Sequence, residues 1–167
     1  MEKPDVWALF DHPPAPTYYK GRFALLGDAA HASTPHQGAG AGQASKKSPS
    51  PSLSYKQVAA AEATTVEDAF TLSNILGSIT SPIEIENAFR AYDAVRRPRS
   101  QKVVETSREA AAIYDFEDEK LGVDLDLIKR TLETRFDWIW NEDLPAQLKR
   151  AMDVMKEKGN VQVWANL

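Results

Sequence analysis

Residues 27–43, GDAAHASTPHQGAGAGQ, hold the side chains of this chain best suited to chemistry. A carboxylate, Asp28, follows the short apolar run Arg22-Phe23-Ala24-Leu25-Leu26, and Gly38, Gly40 and Gly42 lead toward a helix. In open α/β sheets a ligand sits just beyond the carboxyl end of a strand, which is where this segment falls. The three glycines leave bare backbone for the close approach of a flat or phosphorylated ligand. A helix starting there offers unpaired N–H groups and a positive dipole end to an anionic group. Asp28 can only accept hydrogen bonds when ionised, so it suits sugar hydroxyls rather than phosphate. The expected ligand is therefore a nucleotide-like cofactor carrying a polyol.

Competing motifs fail on spacing. Gln43 stands where GxGxxG, counted from Gly38, requires its third glycine, and the same residue breaks the phosphate-loop pattern GxxxxGK[ST]. His12, His31 and His36 with Asp28 match no metal-ligand template, and loop or structural histidines are the better reading. The cluster Arg96-Arg97-Pro98-Arg99 reads as a solvated helix end or as ion pairs with Asp93, Glu105 and Glu109.

The elements that must position residues 27–43 are mostly helices. Residues 4–19 alternate apolar and polar only briefly before Pro13, Pro14 and Pro16, which suggests one short strand and an extended loop. Lys20-Gly21 signals a turn, and residues 22–26 read as a short buried strand. That strand needs a partner, either near Val6 or in sequence outside this chain. Val66, Phe70, Leu72 and Leu76 share a helical face ending near Gly77. Ser81-Pro82 opens a helix whose spacing (Ile85, Phe89, Tyr92) runs to Pro98, where a kink or interruption is expected before it resumes toward Tyr114. Two further helices are expected over 124–138 and 142–158. Trp138 and Trp140, two apart, point to different helical faces, one of them into the core.

Composition narrows the classes. The 167 residues carry 20 Lys plus Arg against 24 Asp plus Glu, a net charge of −4, which argues against a nucleic-acid partner. Without a cysteine the chain has no disulfide, thiolate metal site or Cys nucleophile. No apolar run approaches the roughly 20 residues that span a bilayer, and the polar start MEKPD is no secretory signal. A cytoplasmic protein without a membrane span is expected.

GRFALLGDAAHASTPHQGAGAGQ, with EDAFTLSNIL and AFRAYDAVRRPRSQKVVETS, resembles the C-terminal part of FAD-dependent aromatic-ring monooxygenases, the salicylate hydroxylase-like flavoproteins. The resemblance runs from about Trp7 to Trp140 and is interrupted at 44–66. It implies an α/β FAD-binding fold in the parent family, this chain supplying a mostly α-helical portion with one or two short strands before the glycine-rich loop. It also implies FAD as cofactor, NAD(P)H as co-substrate and a small aromatic acid as substrate, with a homo-oligomer as an open option. The implied cofactor-binding residues are Gly27, Asp28, Pro35, Gly38, Ala39, Gly40 and Ala41. Asp28 would meet the ribityl hydroxyls, Pro35 the isoalloxazine ring, and the backbone amides of 38–41 its N1/C2-carbonyl edge. No catalytic residue and no metal ligand is implied here, and His31 is expected to pack or hydrogen-bond within the GD loop.

Two departures from the family pattern stand out. The family's N-terminal GxGxxG unit, its NAD(P)H motif and most of its substrate domain have no counterpart in these residues, so this chain alone is expected to be inactive. Its pattern also runs GAGAGQ-A-I-E-D-A, whereas 21 extra residues, Ser45 to Thr65, intervene here before Val66-Glu67. That segment, SKKSPSPSLS at its start, has the composition of a flexible linker. It is a whole number of codons, and Ala44-Ser45-Lys46 and Thr65-Val66 can be encoded with intron donor and acceptor sequences, so a retained intron is the expectation. The resulting division is 1–43 (end of the substrate-domain strand, GD-motif strand and flavin loop), 44–66 (insertion) and 67–167 (C-terminal helices and tail). The rival class is a non-enzymatic helical interaction fragment acting through residues 82–158.

Overall fold

The computed structural model describes residues 8–37 and 60–157, with side chains from Thr64 onward in the second stretch. Gly38, Ala39, Gly40 and Ala41, and the insertion up to residue 59, lie outside the described residues.

Strands β1 (Tyr19–Lys20) and β2 (Phe23–Ala24) form an antiparallel hairpin, with Tyr19 opposite Ala24 and Lys20 opposite Phe23. Gly21 takes φ +57°, the sign that a two-residue hairpin turn demands and that glycine adopts without steric cost. Among the described residues the strand's partner is thus the immediately preceding one, which the sequence reading did not foresee; Val6 lies outside the described residues. A tight turn lets the chain pair locally, while Pro13, Pro14 and Pro16 upstream lack backbone donors.

After the hairpin come α1 (Asp28–His31), a 3-10 turn at Pro35–Gln37, and α2 (Ala60–Ser78). The last residues of the expected insertion, 60–66, are the first two turns of α2, so the 66/67 division falls inside one continuous helix. A second 3-10 turn, Pro82–Glu84, leads into α3 (Ile85–Tyr114). Ser81 and Glu84 form a reciprocal capping box there, with Pro82 at the first position, where its missing N–H costs nothing.

Helix α3 is continuous over 30 residues with Pro98 inside it, so the expected interruption does not occur. Pro98 and Ala94 are both exposed. The Ala94 carbonyl, which loses its usual donor at position 98, can turn to water.

Three shorter helices close the chain: α4 (Leu125–Arg135), α5 (Asp137–Trp140) and α6 (Leu144–Lys156). Asp124 caps α4 through the amides of Asp126 and Leu127, and Asp143 caps α6 through that of Ala146. The expected single helix over 124–138 is therefore two, broken at Phe136. Ile139, not either tryptophan, is the buried residue of α5.

The core lies where α2, α3 and α6 meet beneath the hairpin: Tyr18, Ala30, Ile75, Ala88, Ala91, Tyr92 and Ala151 are essentially inaccessible. Four alanines in this set let backbones approach closely. Among the described residues no helix is long and apolar enough to cross a membrane.

Candidate functional site

Helix α3 holds the whole segment from Ala15 to Thr34 by hydrogen bonds to its exposed backbone. Asp93 Oδ1 accepts the Tyr18 amide at 2.7 Å, Gln101 Nε2 donates to the Ala15 carbonyl at 2.7 Å, and Tyr92 Oη donates to the Leu25 carbonyl at 3.1 Å. Tyr18 Oη meets Ser100 Oγ at 2.8 Å, and Ser107 donates to the Thr34 carbonyl. Irregular backbone lying against a protein surface must be satisfied in this way, because water is excluded from it.

The turn at Gly27-Asp28 is fixed from a second side. Gly27 adopts φ 59°, ψ −138°, a region essentially reserved for glycine. Its amide donates to Asp68 Oδ2 at 3.1 Å, and its carbonyl accepts the amides of Ala30 (2.8 Å) and His31 (3.0 Å). A Cβ on Gly27 would stand 3.2 Å from both the methyl and the hydroxyl of Thr65.

Asp68 belongs to a buried ionic network joining α1, α2, α3 and α6. His31 Nε2 donates to Asp68 Oδ2 at 2.6 Å, and Arg96 Nε donates to Oδ1 at 2.7 Å. Arg96 also reaches Glu67, Gln147 Oε1 (3.0 Å) and the Thr64 carbonyl (3.1 Å). Glu67 is forked by Arg99 at 2.7 and 2.8 Å, and Arg99 goes on to the carbonyls of Trp138 and Ile139. Burial alone would raise the Asp68 carboxyl, but the hydrogen bond from His31 and the charge of Arg96 outweigh it and hold the group below the ordinary carboxylate range. Burial raises Tyr92 and Tyr18 above the usual phenol range, the negative Asp68 adding to the effect in both.

These contacts revise the reading of the arginine cluster. Arg96 is fully buried rather than at a solvated helix end; Arg97 pairs with Asp93 at 2.9 Å, and Arg99 is largely buried. Trp138 lies under Arg99 (5.4 Å to the ring centroid) and Lys102 (4.2 Å). The expected bond of His31 runs to α2, onto the same oxygen that receives Gly27.

Of the residues expected to meet a cofactor, Gly27, Asp28 and Pro35 fall among the described residues. Gly27 is buried, whereas Asp28 and Pro35 are exposed. No described residue hydrogen-bonds the Asp28 carboxylate, although the Gly27 amide and carbonyl beside it are both engaged. One residue before Gly38, Gln37 is 2 % exposed, yet among the described residues neither its Nε2 nor its Oε1 has a partner. An open acceptor and an amide left over by the described residues are groups that suit a ligand bearing hydroxyls and a carbonyl-rich edge, as FAD does. Gln37 was not singled out by sequence reasoning. Arg96 was read only within a charged cluster and Glu67-Asp68 only as the head of EDAFTLSNIL, and their 29- and 28-residue separations gave no sign that they pair.

No family model matches the chain. A 6-methylsalicylate 1-monooxygenase of Aspergillus terreus is 38% identical over 157 residues, which is 94% of this chain and 30% of the relative. A salicylate hydroxylase of Pseudomonas putida is 41% identical over 149 residues, 89% of this chain and 29% of the relative. Among solved structures, a salicylate hydroxylase in a substrate complex superposes with TM-score 0.71 at 40% identity, covering 87% of this chain and 30% of that one. The chain thus spans about 30% of the length of the relatives it matches. Nearly all of its described structure is shared with these proteins, and the chain belongs, over that span, to the salicylate hydroxylase-like FAD-dependent monooxygenases.

Proposed function

We propose that this chain forms the GD-loop wall of the flavin site of a cytoplasmic aromatic-acid hydroxylase. The observation that carries the reading is the exposed Asp28 carboxylate, with no bond from a described residue, on a turn whose Gly27 amide and carbonyl are both engaged. In this reading Asp28 accepts hydrogen bonds from the ribityl hydroxyls and Pro35 packs against the ring system. The backbone amides of Gly38, Ala39, Gly40 and Ala41 face its N1/C2-carbonyl edge, where donors stabilise negative charge. When bound, FAD supplies the chemistry that takes electrons from NAD(P)H and activates O2 toward a small aromatic acid. The protein's part here is to hold and orient, and no residue of this chain is assigned a proton-transfer step. Because the chain spans about 30% of its relatives, the 167 residues by themselves are expected to give no turnover.

The test joins residues 8–157 to the remainder of the Pseudomonas putida salicylate hydroxylase in place of its matched portion. The chimera is expected to retain flavin and to oxidise NADH in the presence of salicylate. Asp28→Ala in it should weaken flavin binding by about 10- to 100-fold, the range for a charge-assisted hydrogen bond. A folded chimera that holds flavin equally well with and without that substitution would remove the basis of the reading.

A further inference from the structure

We propose that Asp68 is a positioning residue: its carboxylate sets the Gly27 peptide and so turns Asp28 outward, and Arg96 sets the carboxylate. The consequence for flavin rests on the function proposed above, but the clamp itself does not. Both oxygens of Asp68 are committed, Oδ2 to the Gly27 amide and His31 Nε2, Oδ1 to Arg96 Nε, and the side chain has no exposure. It therefore has one orientation available. Gly27 is held at its N–H by α2 and at its carbonyl by α1, and a backbone region this sparsely populated persists only where its surroundings dictate it. The titratable and charged groups that act on Asp68 are His31 on α1, Arg96 and Tyr92 on α3, and Tyr18 just before the hairpin. Glu67 is taken up by the two arginines, which leaves Asp68 as the acid that reaches the turn.

A role confined to gluing α2 to α3 would leave Gly27 indifferent to Asp68 except through global stability. The Tyr18 amide provides the control, since it is held by Asp93 on α3 and makes no bond to Asp68. In the 15N-labelled 167-residue chain, Asp68→Asn places an NH2 against Arg96 or Gly27, both donors. With far-UV circular dichroism unchanged, the Gly27 amide is expected to lose about tenfold or more of its protection from hydrogen exchange. It should also shift upfield, while Tyr18 keeps its protection. Equal loss at both amides, or no change at Gly27, overturns the proposal. Should the variant fail to fold, an acid titration of the wild type decides. The Gly27 amide shift must follow the Asp68 carboxyl carbon, and a Gly27 resonance that ignores it overturns the clamp. The chimera separates the two ideas: a clamp demonstrated at Gly27, in a chimera that holds flavin equally well with and without Asp28→Ala, sinks the flavin reading alone.

Discussion

Arg96 Nε and Asp68 Oδ1 stand 2.7 Å apart, and neither side chain has any solvent exposure. A buried pair of this kind contributes little over a well-packed apolar pair, but removing one partner strands the other charge out of water. Asp68→Ala is therefore expected to destabilise the chain by about 3–5 kcal/mol, and Arg96→Met by a similar amount. Urea denaturation followed by circular dichroism measures both, and a change below about 1 kcal/mol would show that water reaches the site.

Gly27→Ala tests the turn directly. The added Cβ meets Thr65 at 3.2 Å on two sides and the backbone region is unsuited to it, so a loss of about 1–3 kcal/mol is expected. Gly21→Ala, also at positive φ but with open space around it, should cost about 1–2 kcal/mol and leave the Gly27 amide signal in place.

Acid and alkali should act on different groups. Asp68 is held below its ordinary value, so its stabilisation is complete above the unfolded value of 3.8 and is lost as pH falls through the lower folded value. Tyr92 and Tyr18 are raised, so their contribution is complete below 10.0 and declines as pH rises past it. Thermal melts should thus show a plateau at neutral pH with falls at both ends. Replacing Tyr92 by Phe should blunt the alkaline fall and leave the acid one.

Pro98→Ala restores a backbone donor in the middle of α3 at an exposed position. The expected result is a gain of about 1–3 kcal/mol, seen as a higher midpoint in thermal unfolding. A loss of stability would mean that the proline ring is packed in a way its exposure does not suggest.

Helical periodicity made α3 and α6 legible in the sequence to within a few residues, because each presents an apolar stripe to the same core. Helix α2 instead buries Thr64, Glu67, Asp68 and Thr71 beside Ile75, and Val66, expected on its apolar face, is exposed. Pro98 misled, since the rule against proline inside helices assumes that the abandoned carbonyl has no other partner, and Ala94 faces solvent. The hairpin partner was missed because two residues per strand carry no alternation to read. At the site, Gly27 and Asp28 were legible from local spacing alone. Arg96 was not. Its partners Asp68 and Glu67 lie 28 and 29 residues away on another helix, and a charge so placed looks the same in sequence whether it is solvated or buried. Gln37 carried no signal, because only burial reveals its unpaired amide.

The dependence of residues 15–34 on α3 has a bearing on how the protein is made. The Tyr18 amide finds its acceptor 75 residues later, and Thr34 meets Ser107 after 73. Synthesis delivers the N-terminal end first. The GD turn therefore leaves the ribosome well before the helix that shapes it, and must wait, unstructured, until residue 107 has cleared the exit tunnel. Phe23, Leu25 and Leu26, still exposed in the folded chain, are then accessible together with Tyr18. This interval is when a chaperone has most to bind, and when a nascent chain stalled before α3 is most prone to aggregate.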